Sequence, residues 1–218
     1  MPDHLSPDQR DVVDQFHRFY YTAGVNNGTW QNTFWCGRQI LKCPLDLWIY
    51  QEILWQVRPR LIIETGTFAG ASAAYLASIC DLIGDGRIIS VDLDAKSDLP
   101  EHNRVRYLSG SSTAPEVVRA IEQEANGVTP VLVILDSDHR YAHVAKEIAA
   151  YAPLVSRDSY LIVEDTNVNG NPVLPEFGPG PLEAVEEFLS QNGSFERDHT
   201  REKFLMTFNR SGYLKRVR

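Results

Sequence analysis

From Arg60 onward, short apolar runs alternate with stretches whose apolar residues recur every three or four positions. The runs are Leu61 to Glu64, Ile88 to Asp92, Val105 to Leu108, Val131 to Asp136 and Tyr160 to Glu164. Runs of this length read as strands and the stretches between them as amphipathic helices, a pattern that predicts an α/β fold with a mostly parallel sheet. One such helix is expected from the capping-box form Thr113-Ala114-Pro115-Glu116, burying Val117, Val118 and Ile121. Another is expected from Pro181 to Gln191, burying Leu182, Val185, Phe188 and Leu189. Upstream, Leu47, Tyr50, Leu54 and Val57 share one face of a predicted helix from Asp46 to Val57, in an aromatic-rich segment expected to cap the core. At the tail, Phe204 to Phe208 and Gly212 to Leu214 flank the turn-prone Asn209-Arg210-Ser211, which fits an antiparallel strand at the end of the sheet.

The first run passes into a glycine-spaced turn, Glu64-Thr65-Gly66-Thr67-Phe68-Ala69-Gly70, before an alanine-rich helix. A strand, turn and helix of this kind present bare backbone N–H groups at a helix N-terminus, where a nucleoside-bearing cofactor docks. The spacing is not the G-x-G-x-x-G that brings a pyrophosphate against the backbone. An acid before the turn repels phosphate and suits a cationic ligand, which favours S-adenosylmethionine over NAD. Gly66, Thr67 and Gly70 are the expected cofactor loop. Asp92, ending the second strand, is placed to accept hydrogen bonds from ribose hydroxyls.

In open parallel sheets, ligands collect outside the carboxyl ends of the strands, so the acids ending successive strands should face one crevice. Asp136 follows one strand; Glu164 and Asp165 follow another. If those strands are neighbours, three carboxylates converge, and a hard divalent cation such as magnesium is the natural remedy for so much like charge. His139, three residues after Asp136, is the candidate general base, with a plain first-turn helix histidine as the alternative. Asp138 reads as a helix cap instead. A zinc pair of His139 and His143 lacks a third ligand. The segment from Asn167 to Pro181 is too long for a routine connection and reads as a substrate lid or as a stiff, idle loop. Of Trp30, Trp35, Trp48 and Trp55, Trp35 is the expected wall of an acceptor pocket.

Composition narrows the partners. With 218 residues, 43% of them apolar, and no repeat or Gly/Ser-rich linker, the chain is expected to be one domain: an N-terminal cap or substrate region over 1–59 and a cofactor-binding core over 60–218. A formal net charge of -8 argues against nucleic acid or an anionic membrane as partner. The first residues, Met1 to Ser6, show no basic segment leading into an apolar run, so a cytoplasmic location is expected. Cys36, Cys43 and Cys80 form no C-x-x-C pair and read as packing residues.

Several blocks together resemble the cephalosporin hydroxylase family, a branch of the class I S-adenosylmethionine-dependent methyltransferases related to macrolide sugar O-methyltransferases. They are Lys42-Cys43-Pro44-Leu45-Asp46-Leu47-Trp48, Ile63-Glu64-Thr65-Gly66-Thr67, Ser90-Val91-Asp92, Leu135-Asp136-Ser137-Asp138-His139, Val163-Glu164-Asp165-Thr166, Gly178-Pro179-Gly180-Pro181 and Gly212-Tyr213-Leu214-Lys215-Arg216. The resemblance implies a Rossmann-like, seven-stranded fold and a magnesium site from Asp136, Glu164 and Asp165, with His139 as base. It also implies cofactor contacts from Glu64, Gly66 and Asp92, with adenine near Gly110, Ser111 and Ser112. Asp136 serves both cofactor and metal in this reading. The implied activity is O-methylation of a sugar or other secondary-metabolite hydroxyl by a homo-oligomer. Two alternatives stand beside it. An iron hydroxylase, as the family name suggests, would need two histidines and a carboxylate, and no His-x-Asp or His-x-Glu occurs. A non-catalytic cofactor-binding accessory protein is the other.

Overall fold

The computed structural model describes residues 5–23, 28–94 and 98–218, so most of the stretch on which the leader expectation rests, residues 1–4, lies outside the described residues. Seven strands make the main sheet: β3 (Leu61–Thr65), β4 (Arg87–Asp92), β5 (Val105–Ser109), β6 (Val131–Leu135), β7 (Tyr160–Val163), β8 (Phe195–Arg197) and β9 (Tyr213–Arg216). A short hairpin, β1 (Phe34–Trp35) and β2 (Arg38–Gln39), lies apart from it. The order is β5-β4-β3-β6-β7-β9-β8. β3 to β7 are mutually parallel, while β9 runs antiparallel to β7 and β8. β3, β6 and β7 are buried throughout, which is why β6, β7 and the Leu61 to Ile63 part of β3 read as unbroken apolar runs rather than alternating ones.

Alternation within these strands feeds two cores. Leu61, Ile63, Val131 and Val133 pack with helices α4 (Pro115–Ala125), α5 (Tyr141–Tyr151) and α6 (Pro181–Gln191) on one face. Ile62, Leu132 and Ile134 pack with α2 (Pro44–Val57) and α3 (Ala71–Ile83) on the other. The helix expected over Asp46 to Val57 thus forms, starting two residues earlier at Pro44, as a full layer on the sheet. Its N-terminal neighbour α1 (Pro7–Thr22) was not legible, because Val12, Phe16 and Phe19 face outward and blur its period. α1 opens on a capping box between Ser6 and Gln9 and lies near a small cluster of Cys43, Met206 and Phe208, packed by Tyr20, Tyr21 and Trp30.

Several local expectations are corrected. The helix after Thr113 starts at Pro115 with Ala114 as its N-cap and no side-chain cap bond, because Thr113 turns to Ser111 (3.1 Å). The tail strand β9 pairs with β8 and is not at the sheet edge; Phe204 to Phe208 is irregular, its Phe208 N–H and Thr207 hydroxyl donating to buried Asp46. In α6 the fully buried positions are Pro181, Ala184 and Val185, with Phe188 and Leu189 only partly covered. Cys43 and Cys80 are packed as expected, but Cys36 is exposed at the hairpin turn with φ 48°.

Candidate active site

The strand order reverses at β3, since β4 lies on one side of it and β6 on the other, and such a switch point opens a crevice at the carboxyl ends. A cavity of about 630 Å³ lies there. Its wall includes Gly66, Thr67, Asp92, Ser111, Ser112, Asp136, His139 and Asp165 from the expected site. Glu64, Gly70, Gly110 and Glu164 do not line it; each lies beneath or beside a residue that does.

Gly66 is required by space as well as by φ. At φ +89°, a Cβ there would come within 1.8 Å of the Asp136 carbonyl oxygen, so the β3 loop and the β6 tip touch through backbone alone. Gly70 is the left-handed N-cap of α3, and a Cβ on it would come within 2.6 Å of the Pro100 ring. Asp92 accepts the Phe68 N–H at 2.8 Å, which locks its carboxylate against the loop. Glu64 is buried under the turn: its Oε2 accepts from Ser90 Oγ at 2.6 Å, while Oε1 has no partner, and burial pushes its pKa up to about 7. A loop without side-chain obstruction, a locked acid for a diol and a nearby acid with one unmatched oxygen fit S-adenosylmethionine.

At the tips of β6 and β7, which are parallel neighbours, the acids do converge, with an addition that spacing did not suggest. Lys42, 4% exposed, inserts its ammonium between them, donating to Asp136 Oδ2 and to Glu164 Oε1 (2.7 Å). Glu164 Oε1 also accepts from Tyr50 at 2.7 Å, and Tyr50 in turn accepts from Asn209. The donor atoms of Asp136, His139 and Asp165 lie within 4.8 Å of one another, the grouping among the described residues that is able to share an ion. His139 Nε2 is 3.0 Å from Asp165 Oδ2 and 4.0 Å from Asp136 Oδ1. Burial pushes the pKa values of Asp136, Glu164 and Asp165 up, opposed by Lys42. Burial works against the protonated forms of His139 and Lys42, yet the surrounding acids outweigh it and hold both above their usual values. Two carboxylates and an imidazole in one mouth, with a third carboxylate behind, suit a hard divalent cation.

Other expectations land elsewhere. α5 begins at Tyr141, so His139 stands in the loop before the helix rather than in its first turn; Asp138 braces that loop by accepting the Arg140 N–H at 3.0 Å instead of capping the helix. His143 Nε2 sits 3.0 Å from Ser137 Oγ and 3.2 Å from Ser112 Oγ and is not part of the Asp136, His139 and Asp165 grouping. Trp35 does not reach the cavity: it packs edge-on against Tyr75, with ring centroids 4.9 Å apart. Trp30 lines the cavity in its place, stacked on Tyr21, and Val168, Leu174 and Phe177 bring the long loop over the same opening. The signal for Lys42 was its place in the Lys42-Cys43-Pro44 block. Nothing in one-dimensional spacing joins it to residues 94 and 122 positions away.

Parallel strands β3 to β7, with β9 antiparallel between β7 and β8 and a glycine turn after β3, make the fold of the class I methyltransferases. The model of the rhamnosyl O-methyltransferase/CmcI family matches residues 27–217, and the chain belongs to that family. The rhamnosyl O-methyltransferase of Mycobacterium leprae is 38% identical over 213 residues, covering 94% of this chain and 90% of that protein. Its counterpart in Mycobacterium tuberculosis (strain ATCC 25618 / H37Rv) is 39% identical over 212 residues, covering 94% and 85%. Among solved structures, the Mg–SAM form of CmcI-D160 aligns over 100% of this chain and 87% of its own with a TM-score of 0.66 at 19% identity, a likeness of fold. The chain is an S-adenosylmethionine-dependent O-methyltransferase.

Proposed function

We propose that the acceptor is a hydroxyl of a sugar or of a sugar-bearing secondary metabolite, and that Asp136 and Asp165, with Glu164 behind them, hold a divalent cation at the acceptor's position. The observation that carries this reading is the meeting of Asp136, His139 and Asp165 in the same cavity as Gly66 and Asp92. The relatives named above act on rhamnosyl groups, and the MycE methyltransferase solved with Mg, SAH and mycinamycin VI shares the fold over 78% of this chain and 48% of its own (TM-score 0.55, 20% identity). A bound dication lowers the pKa of a hydroxyl it touches, and the sulfonium supplies the methyl group.

The protein's own residues do the rest. Asp92 orients the ribose, and the bare Gly66 backbone lets the cofactor approach the β6 tip. Hard cations prefer oxygen, which assigns the carboxylates to the ion and leaves His139 Nε2 for the proton. His139 is raised by its acidic neighbours alone; with their charge neutralised, burial favours the neutral ring that accepts a proton. Trp30, Tyr21 and Phe177 line the cavity as apolar surface for an acceptor, and the 167–181 loop covers it. Orientation supplies ~7 to 11 kcal/mol of such a reaction and a general base ~10² to 10⁴ in rate. Asp136→Ala and Asp165→Ala should therefore abolish methyl transfer to a rhamnosyl acceptor, while S-adenosylhomocysteine still binds Asp165→Ala as it binds the wild type. His139→Ala should leave a slow residual rate. Undiminished turnover after EDTA treatment would refute the metal role. The reading includes a cytoplasmic location and a homo-oligomer; the oligomer is supported by the exposed row Val12, Phe16 and Phe19 on α1 and tested by sedimentation, and the location is tested by cell fractionation. The iron hydroxylase alternative finds one histidine, not two, beside the acids of the described site.

A further inference from the structure

Lys42 has no part in the reaction described so far, yet it is among the most deeply buried charged side chains of the molecule. It is 4% exposed, and its ammonium contacts one oxygen on each of two strand-tip acids that belong to different strands. The chain brings it there through Leu41, a non-glycine residue at φ 49°, just before the Pro44 start of α2. Glu64, with its unmatched oxygen, adds a fourth acid to the surroundings of the same ammonium. Without a cation, Asp136, Glu164 and Asp165 would place up to three negative charges within a few ångströms, which a buried site does not tolerate. With Lys42 in place, Glu164 Oε1 is tied into the protein by Lys42 and Tyr50, and Asp136 Oδ1 is left facing His139 and Asp165.

We propose that Lys42 is a resident counter-cation that keeps the acid cluster assembled before any dication arrives and, by offsetting part of its charge, weakens the hold on that dication. The metal site would then be preformed and exchangeable rather than built by the ion. Lys42 is in this sense a positioning residue: it acts through Asp136 and Glu164. The inference rests on the divalent-cation reading above, but its test separates the two.

The probe is Mn²⁺ alone, titrated calorimetrically into chelator-stripped full-length wild type, Lys42→Met and Lys42→Arg. Unit charges a few ångströms apart interact strongly even at an effective dielectric of about 20, so removing the ammonium should tighten Mn²⁺ binding by at least ~10-fold. Lys42→Arg, which keeps the charge, should stay close to the wild type. A Lys42→Met protein that folds and binds S-adenosylhomocysteine but holds Mn²⁺ no more tightly overturns the proposal. So does a Lys42→Arg protein that changes as much as Lys42→Met. Folding of Lys42→Met only in the presence of Mn²⁺ supports it, because the ion has then replaced the missing cation. If that variant folds under neither condition, the stripped wild type decides. Retained circular dichroism and S-adenosylhomocysteine binding support a preformed site; their loss on chelation overturns it. Mn²⁺ bound by Lys42→Met but not by wild type would sink the metal role while sustaining this one, and binding by neither would sink both.

Discussion

Gly66 and His17 show how much a single residue decides here. A Cβ at position 66 would collide with the Asp136 carbonyl oxygen and would be carried at positive φ, and neither strain has a flexible side chain to absorb it. Gly66→Ala is expected to lose S-adenosylhomocysteine binding and to melt well below the wild type, measured by calorimetry. His17 in α1 is fully buried, stacked on Phe208 and within 3.0 Å of Asn167 Nδ2 through its Nε2. Burial, aided by Arg210, lowers its pKa to about 4 from 6.5. The folded state thus disfavours the imidazolium, so the contribution of His17 is complete above pH 6.5 and is lost as pH falls toward 4. The loss amounts to a few kcal/mol, on the order of 1.4 per pKa unit. His17→Phe keeps the stack but cannot titrate; its stability, read from urea melts, should fall less steeply than the wild type's between pH 6.5 and 4.

Among the elements, α4 begins without the side-chain cap its sequence predicts. Ala114 has the extended backbone of an N-cap but offers no side-chain oxygen to the first turn, and Thr113, the expected donor of that oxygen, is turned to Ser111. Ala114→Ser should raise the unfolding free energy by about 1 kcal/mol, seen as a later urea midpoint with an unchanged slope. The same comparison explains the misread start of α5. Asp138 caps its own loop through the Arg140 N–H, and that loop is what carries His139 out of the helix and toward Asp165. Helix-favouring sequence was present; the tertiary contacts to the β7 tip decided otherwise.

For the whole molecule, a site assembled from the tips of β3, β4, β6 and β7 couples ligand binding to global stability. A ligand at about 100 times its dissociation constant stabilises a two-state fold by about 2.7 kcal/mol. S-adenosylhomocysteine at saturating concentration should raise the melting temperature by several degrees, in scanning calorimetry, and the rise should vanish in Gly66→Ala. No helix of the described residues is long and apolar enough to cross a membrane.

Local chemistry made much of this protein readable in one dimension. Strands buried on both faces are built from apolar runs, so Leu61–Ile63, Val131–Leu135 and Tyr160–Val163 announced themselves, and Glu64 within the first strand and the acids just after the other two stood out because those strands hold no other charge. The glycine turn after Glu64 was equally visible, since backbone approach at positive φ restricts the residue type. What the chain did not disclose were pairings across long stretches: Lys42 among the acids, Trp30 rather than Trp35 at the cavity, and α1 anchored through His17. Those depend on which surfaces meet once the sheet has formed. A side chain's charge partner is set by packing in three dimensions, and residue spacing carries no record of it.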